Sequence, residues 1–278
     1  MKIIYYLNLF RIQNIAIAGL SVLLTAYLLD NYNILNIIKC IMLIFFSMSF
    51  ANTMNDIIDF KTDQINQPNR VINQGFISIN EAKMICSLLI ICCFLLSFLL
   101  NEIYPRVFFY IILLLLITYN VFFKKIAIIG NLLVAFLLAS VFLFTELILT
   151  GNITTMLIPS FLAFCLSFLR ENLKDLHDFE GDRLLGMKTL PVICGIKKSS
   201  YLVSFFIFIV AILLIIPFIY KIYGLNYFIS LILFIEIPII YSLFLLLNFQ
   251  TINTFKQLVH LYKILTMLGL VVIFLTKS

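Results

Sequence analysis

Long apolar segments, separated by short polar stretches, occupy most of this 278-residue chain. A helix needs about 17–25 mostly apolar residues to cross a bilayer, and nine segments reach this length. The predicted spans are residues 14–30, 34–52, 84–101, 106–123, 126–148, 153–169, 200–220, 226–247 and 260–276. These segments are apolar on nearly every side, so their periodicity does not show which face meets lipid. The pattern predicts an all-α polytopic membrane protein with nine transmembrane helices.

The two longest polar stretches, residues 53–83 and 170–199, each connect two predicted spans. Both contain proline and glycine residues that are typical of turns. We therefore expect short helices and turns that form a cytoplasmic cap over the mouth of a cavity. Because no linker rich in Gly, Ser or Pro interrupts the chain, residues 1–278 are predicted to form one domain.

The composition excludes a soluble globular protein. Hydrophobic residues make up 63% of the chain, charged residues 12%, and the mean hydropathy is +1.14, whereas soluble domains carry roughly 25% charged residues. The six cysteines lack C-x-x-C spacing, and most lie within apolar runs. They are therefore predicted to be small core hydrophobes, with neither a disulfide framework nor a metal site.

The distribution of basic residues predicts how the chain is oriented. If the N-terminus is cytoplasmic and nine spans alternate, all but four of the 19 Lys and Arg residues lie on the cytoplasmic side. The exceptions are Lys39, Arg106, Lys221 and Lys277. Both long polar connections then face the cytoplasm. This asymmetry accounts for the net charge of +6, so the charge gives no reason to expect nucleic-acid binding.

A cluster of acidic residues marks the start of the first polar connection. Asp59 and Asp63 follow Asp56 by three and seven residues, and Asn52 precedes it by four. On one continuous helix these side chains share a face. Crowded carboxylates raise one another's pKa unless a cation joins them, and Mg²⁺ commonly binds one or two carboxylates together with substrate phosphates. The alternative is a solvated polar cap at a helix end.

The same spacing recurs at the start of the second connection. Asp178 and Asp182 follow Asp175 by three and seven residues, and Glu171 precedes it by four. This cluster also ends a long apolar run, residues 156–169. Two such clusters at one membrane surface indicate a site for a metal-bridged diphosphate.

Motifs around both clusters resemble the two signatures of the UbiA superfamily of intramembrane prenyltransferases. The first is Asn55-Asp56-x-x-Asp59-x-x-x-Asp63, followed by Pro68-Asn69-Arg70 and Gly75. The second is Arg170-Glu171-Asn172-Leu173-Lys174-Asp175-Leu176-His177-Asp178-Phe179-Glu180-Gly181-Asp182, followed by Gly186 and Lys188-Thr189-Leu190-Pro191. Further matches are Arg11-x-x-Asn14, Tyr119-x-x-x-x-Lys124 and Gly130-Asn131. The second signature is closest in form to the digeranylgeranylglyceryl phosphate synthase branch. One departure is Val71, where relatives usually have proline.

The resemblance implies a nine-helix enzyme with a central cavity, which uses Mg²⁺ to transfer a polyprenyl group from a diphosphate donor to a lipophilic acceptor in the bilayer. It implies as catalytic and metal-binding residues Asp56, Asp59, Asp63, Asp175, Asp178 and Asp182. The expected substrate contacts are Asn14, Asn52, Asn55, Arg70, Tyr119, Lys124, Lys174 and Lys188. Each basic residue of this set could instead be present only because cytoplasmic loops are rich in Lys and Arg. The same alternative holds for Arg183. No nucleic-acid partner and no obligate protein partner are expected.

The predicted acceptor is the hydroxyl of a (geranylgeranyl)glycerol phosphate, which gives an ether lipid. A phosphate on the acceptor requires a surplus of cations at the mouth. The second connection supplies one, namely Lys174, Arg183, Lys188, Lys197 and Lys198. The alternative is an aromatic prenyltransferase of quinone or pigment biosynthesis, which needs fewer cations. A membrane transporter is disfavoured because the acids lie at span ends rather than at mid-membrane.

Two further acidic residues lie inside predicted spans, where ionisable groups are costly and often functional. Glu146 is near the outer end of its span and is expected to extend toward the membrane surface. Glu236 is nearer mid-span, beside Pro238, and a carbonyl freed by the proline is an expected partner. The role of Glu236 stays open.

Overall fold

In the computed structural model, residues 2–277 are described, and they form helices joined by turns. The helices are α1 (Lys2–Phe10), α2 (Ile12–Leu28), α3 (Ile34–Ile58), α4 (Phe60–Asn66), α5 (Ile79–Ser97), α6 (Ile103–Val121), α7 (Ile129–Thr150), α8 (Leu157–His177), α9 (Phe179–Leu184), α10 (Leu190–Cys194), α11 (Ile196–Ile219), α12 (Leu225–Leu231), α13 (Ile237–Asn248) and α14 (Ile252–Phe274). A π-helical segment, Ile232–Glu236, joins α12 to α13, and a 3₁₀ turn, Phe123–Lys125, follows α6.

Seven of the helical segments are long and apolar enough to cross a membrane. They are Ile34–Ile58, Ile79–Ser97, Ile103–Val121, Ile129–Thr150, Ile196–Ile219, Leu225–Asn248 and Ile252–Phe274. The pair α1 and α2 also passes this test together, with a bend of 58° between its halves. The prediction of an all-α integral membrane protein is confirmed, and each of the nine predicted spans falls on a helix. The number of spans stays a prediction.

The helices expose many apolar side chains, as expected of an integral membrane protein. Ile91 on α5, Phe208 on α11 and Phe244 on α13 are each more than half exposed. A soluble monomer rarely exposes apolar patches of this extent. Such exposure on the long apolar helices fits contact with the hydrocarbon of a bilayer.

The chain divides into two compact units. The first comprises Met1–Lys124 and Ser140–Met156, and the second comprises Lys125–Ala139 and Leu157–Ser278. Each unit contains one of the two polar connections with its acidic cluster. The predicted single domain, residues 1–278, stays a prediction.

In the first unit, α3 packs against α1, α2, α5 and α6. A buried cluster in this unit holds the second half of the first connection and contains Leu9, Val71, Ile72, Ile77 and Ala82. Val71, the departure from the family motif, is one of these buried residues. The valine therefore fixes the chain directly after Arg70 by apolar packing.

In the second unit, α8 packs closely against α14 and also against α11. Gly269 on α14 faces Leu166 on α8, since a Cβ atom built at the glycine would lie 3.4 Å from Leu166 Cδ1. All six cysteines are free thiols, and Cys40, Cys93 and Cys165 are buried. These three therefore behave as the predicted core hydrophobes.

Glu146 does not extend toward the membrane surface, so that prediction is wrong. Its side chain is buried, with 1% of the residue exposed. The carboxylate accepts hydrogen bonds from the backbone N–H groups of Thr154 (3.1 Å), Thr155 (2.8 Å) and Met156 (3.0 Å) and from Thr154 Oγ1 (3.2 Å). A turn that offers several unpaired N–H groups satisfies a buried carboxylate better than partial exposure does.

Glu236 is buried in the π-helical segment directly before α13. Within residues 2–277, its Oε1 atom has no hydrogen-bond partner, so the expected contact of that atom with a freed carbonyl is not formed. π-Helical segments are uncommon and are frequent at functional sites.

Candidate active site

The first acidic cluster lies where a helix breaks. α3 ends at Ile58 and α4 begins at Phe60, while Asp59 between them has φ −87° and ψ 6°. This sparsely populated backbone region is common for active-site residues. Asp56 is therefore on α3 and Asp63 on α4, so the prediction of one continuous helical face is wrong. The physical reason is the turn at Asp59, which divides the acidic residues between two helices.

Three cations face the three aspartates of this cluster. Arg70 Nη1 contacts Asp63 Oδ2 at 2.6 Å and also contacts Asp56 Oδ1. Lys124 forms an ion pair with Asp59. All three aspartates are less than a tenth exposed, and buried carboxylates are stable as anions only when they are paired and hydrogen-bonded. The structure therefore brings both predicted basic ligands of this unit to the predicted acids.

A third cation, Arg11, comes from the bend between α1 and α2. Its backbone is left-handed, with φ 56° and ψ 54°, a conformation that non-glycine residues rarely adopt. The bend lets Nη2 reach Asp56 Oδ1 at 2.6 Å. Arg11 belongs to the motif Arg11-x-x-Asn14, which resembles the family, but it is not among the site residues predicted from the sequence. Its position beside Asp56 depends on the left-handed turn, which the residue type does not indicate.

Amide side chains complete the first cluster. Asn52 Oδ1 accepts a hydrogen bond from Arg11 Nη1 at 3.2 Å, and Asn52 Nδ2 donates to the backbone oxygen of Phe10 at 2.8 Å. Asn55 Oδ1 accepts from Arg11 Nη2 at 3.1 Å, and Asn55 Nδ2 donates to Asn120 Oδ1 at 3.1 Å. Asn120 was missed by the sequence reasoning. The available signal was a lone amide within an apolar helix, directly after Tyr119.

The second acidic cluster lies at an equivalent break. α8 ends at His177, α9 begins at Phe179, and Asp178 between them has φ −87° and ψ 8°. Backbone hydrogen bonds bracket the break, from Asp178 N to Lys174 O at 2.9 Å and from Asp182 N to Asp178 O at 3.1 Å. The repeated acidic spacing therefore corresponds to a repeated backbone turn.

The carboxylates of the second cluster have different partners. Asn131 Nδ2 donates to Asp175 Oδ2 at 2.8 Å, and His177 Nδ1 lies 2.7 Å from Asp178 Oδ1. Desolvation raises the pKa of the Asp175 carboxyl to about 7, and the hydrogen bond from Asn131 opposes this rise. Asp182 is buried, and its negative charge raises the pKa of Asp175 further. An amide and an imidazole thus face two of these acids, and the positive charge of Lys174 also lowers the pKa of Asp175.

The remaining predicted contacts are less closely connected to the acids. Lys174 Nζ lies 3.9 Å from Glu171 Oε2, while Glu171 Oε1 accepts a hydrogen bond from Arg170 Nη1 at 3.1 Å. Lys188 joins Ile126 through an isolated backbone bridge, and its side chain is exposed. Asn14 is half-buried on α2, three residues after the bend. Tyr119 is half-buried on α6.

The donor set fits Mg²⁺ bound together with a phosphate ligand. Within residues 2–277, no three His, Cys, Asp or Glu side chains lie together as a ready-made metal site. Mg²⁺ seldom occupies an all-protein cage and usually combines one or two carboxylates with water and substrate phosphates. The clustered carboxylate and amide oxygens supply such ligands, and the adjacent guanidinium groups suit phosphate oxygens.

Comparisons with known proteins agree with this chemistry. The model of the UbiA prenyltransferase family matches residues 15–264. Digeranylgeranylglyceryl phosphate synthase of Methanocaldococcus jannaschii is 35% identical over 232 residues, which cover 82% of this chain and 80% of that protein. A solved structure from work on digeranylgeranylglyceryl phosphate synthase in membranes has a TM-score of 0.73 and 32% identity, and it covers 99% of this chain and 98% of its own. A UbiA homologue from Archaeoglobus fulgidus, solved with GPP and Mg²⁺ bound, has a TM-score of 0.65 at 17% identity, covering 99% of this chain and 100% of its own; this likeness concerns the fold.

Proposed function

The chain belongs to the UbiA prenyltransferase family, and from this premise we propose that it prenylates a (geranylgeranyl)glycerol phosphate within the membrane. The donor is a polyprenyl diphosphate. The bond between its first carbon and the diphosphate oxygen breaks, and the same carbon forms an ether bond with the acceptor oxygen, whose proton is lost. The observation that carries this proposal is the similarity, above 30% identity over most of both chains, to proteins named digeranylgeranylglyceryl phosphate synthase.

We propose that the donor diphosphate binds at the two acidic clusters. The residues that would hold Mg²⁺ are Asp56, Asp59, Asp63, Asp175, Asp178 and Asp182. When bound, Mg²⁺ makes diphosphate a better leaving group by withdrawing charge from its oxygens. Arg11, Arg70 and Lys124 supply further positive charge beside the first cluster. The apolar interior excludes water from the reactive prenyl carbon.

Exposed cations on the second connection support a phosphate-bearing acceptor. Arg183, Lys188, Lys197 and Lys198 are all exposed. Each can approach an acceptor phosphate, and together they offset the like-charge repulsion between that phosphate and the donor diphosphate. An aromatic acceptor does not need this charge, so aromatic prenyl transfer is the second candidate only.

The architecture belongs to the same proposal. Seven apolar helices, the bent pair α1 and α2, and α8 together give nine spans. We infer that α8 spans because residues 157–169 are apolar, and its charged last turns begin only at Arg170. The family match runs through both compact units, which supports one domain over residues 1–278. The short helices α4, α9 and α10 are the proposed cap.

A labelling experiment tests the orientation. In a background without native cysteines, a cysteine at Gln67 or at Leu184 should react with a membrane-impermeant thiol reagent only from the cytoplasmic side. Labelling of either position from outside intact cells contradicts the orientation, and a cysteine at Lys221 serves as the outer-side control.

An activity assay tests the reaction. Purified protein with Mg²⁺ and geranylgeranyl diphosphate should prenylate geranylgeranylglycerol phosphate and leave hydroxybenzoate and naphthoate unchanged. Asp56→Asn and Asp175→Asn should each abolish turnover while the folded protein is retained, because they remove a charged oxygen ligand and keep the side-chain size. Glu102→Gln, an exposed acid at the start of α6, is the matched control. Efficient transfer to an aromatic acceptor instead would favour the second candidate.

A further inference from the structure

Asn120 is a buried amide on α6 whose two polar atoms both have partners. The residue is 2% exposed. Its Nδ2 donates to the backbone oxygen of Leu116 at 2.9 Å, and its Oδ1 accepts from Asn55 Nδ2 at 3.1 Å. Asn55 lies on α3, so the second hydrogen bond joins two helices of the first unit.

The chemistry of the partners fixes the orientation of both amides. A backbone carbonyl can only accept, so the atom of Asn120 that faces Leu116 must be the donor Nδ2. Asn120 therefore presents its oxygen to Asn55. Asn55 must in turn present its nitrogen to Asn120, and its oxygen lies on the opposite side.

The oxygen of Asn55 faces two guanidinium groups. It accepts hydrogen bonds from Arg11 Nη2 at 3.1 Å and from Arg70 Nη1 at 3.4 Å. Both guanidinium groups also contact Asp56 Oδ1. A guanidinium has donors only, so an inverted Asn55 amide would direct an NH₂ group at two cations. The correct orientation adds a second oxygen, besides Asp56 Oδ1, that contacts both arginines and holds them beside Asp56.

We propose that Asn120 is a positioning residue of the diphosphate site, because it holds the Asn55 amide in the one orientation that keeps Arg11 and Arg70 beside Asp56. This inference rests on the proposed function, since it assumes that these arginines bind the donor diphosphate. Groups that orient the residues of a metal or phosphate site commonly affect its affinity as strongly as direct ligands do. A purely structural role for Asn120 would instead concern only the packing of α6 against α3.

The test compares Asn120→Leu in two backgrounds. In the wild-type background, leucine leaves the Asn55 amide free to invert. In Asn55→Asp, the side chain has an oxygen on both sides, so it needs no partner to orient it. The measured quantity is the affinity for geranylgeranyl thiodiphosphate, an unreactive donor analogue, by calorimetry with Mg²⁺ present. This binding readout is independent of the acceptor.

The expected result is a loss of affinity that depends on the background. Asn120→Leu should weaken donor binding by about 10-fold or more in the wild-type background and by less than about 3-fold in Asn55→Asp. Thr118→Val is the control, because Thr118 is two residues away on α6 and donates only to Leu114 and Leu115 of its own helix. It should leave donor affinity unchanged. If Asn120→Leu does not fold, Asn120→Ser replaces it, since serine is too short to reach Asn55.

Several outcomes would overturn the proposal. Equal losses in the two backgrounds would show a structural role, and no loss in the wild-type background would show that Asn120 is dispensable. Abolished binding in Asn55→Asp alone would contradict the claim that Asn55 acts through the oxygen it offers to the arginines. A wild-type protein that binds the donor analogue but does not prenylate glycerol phosphate contradicts only the proposed acceptor. A wild-type protein that does not bind the analogue contradicts both.

Discussion

Replacement of Arg70 by leucine is expected to make the stability of the protein depend on Mg²⁺. Arg70 joins two carboxylates from different helices, Asp56 on α3 and Asp63 on α4. The arginine side chain is 18% exposed, and those of the two aspartates are 6% and 7% exposed. The variant removes the cation and leaves the two negative charges close together. Asp56 keeps Arg11, whereas Asp63 loses its ion pair with Arg70.

The size of the effect follows from the burial of these side chains. Removal of one partner from a buried ion pair destabilises a protein by about 3–5 kcal/mol. Because Arg70 is partly exposed and Arg11 remains, we expect a value near the lower end, about 3 kcal/mol. For a protein of this length each kcal/mol corresponds to roughly 2–4 °C, so the midpoint of thermal unfolding should fall by roughly 6–12 °C.

Mg²⁺ should reverse much of this loss. In the wild type, the proposed metal ion at Asp56 and Asp63 would compete with the guanidinium of Arg70, whereas in the variant this competitor is gone. A ligand at 100 times its dissociation constant stabilises by about 2.7 kcal/mol. Unfolding can be followed in detergent with a thiol-reactive dye, because Cys40, Cys93 and Cys165 are buried free thiols. The gain from Mg²⁺ should therefore be several degrees larger in the variant than in the wild type.

Two comparisons make the result decisive. Arg70→Lys should show an intermediate loss, since lysine keeps the charge without the fork of donors. Arg106→Leu is the control, because Arg106 contacts the backbone oxygen of Leu100 and the ring of Phe98. It should lose stability without recovery by Mg²⁺. If Mg²⁺ stabilises the wild type and Arg70→Leu equally, Arg70 does not compete with a metal at these carboxylates.

Three further substitutions give separate tests. Glu146→Leu should lower the free energy of unfolding by several kcal/mol, roughly 3, because it leaves three backbone N–H groups without their acceptor; chemical denaturation that shows no loss contradicts this. Glu236→Leu should raise the unfolding midpoint, since it removes a buried carboxyl with an unpaired oxygen; a lower midpoint would show that the carboxyl is paired. Asn131→Leu should raise the pKa of Asp175 above its value of about 7 by about one unit. Since a protonated carboxyl cannot hold Mg²⁺, the acid limb of the pH–rate profile should move to higher pH in this variant. Asn248→Leu is the control, and an acid limb that does not move in Asn131→Leu contradicts the prediction.

The spans and the acidic clusters could be predicted because each depends on local sequence. A run such as residues 200–220 is apolar enough to require a membrane helix whatever surrounds it. The spacing of Asp56, Asp59 and Asp63 likewise restricts where their carboxylates can lie. Tertiary contacts therefore have little influence on these features, and the observed helices agree with the predicted apolar segments.

The backbone turns at the site could not be predicted from the same residues. A spacing of three and seven residues fits a continuous helix, so it does not show that the helix breaks at Asp59. The left-handed turn at Arg11 could not be predicted either, because arginine has no preference for that conformation. The burial of Glu146 was missed because the backbone N–H donors that bind its carboxylate lie in the loop that follows its own helix.

The two acidic clusters have the same backbone turn, but the groups that pair with their carboxylates differ. This difference assigns the clusters different parts in the proposed reaction. Asp59 and Asp178 have nearly the same dihedral angles, so the repeated sequence specifies the same turn twice. Neighbouring helices then determine the chemistry. Arginine and lysine side chains pair with all three acids of the first cluster, whereas an amide and an imidazole face Asp175 and Asp178. The first cluster therefore carries the cations that can transfer to donor phosphates and should control donor affinity. At the second cluster, where desolvation raises the pKa of Asp175 to about 7, protons and Mg²⁺ compete directly, so this cluster should control the metal requirement and its dependence on pH.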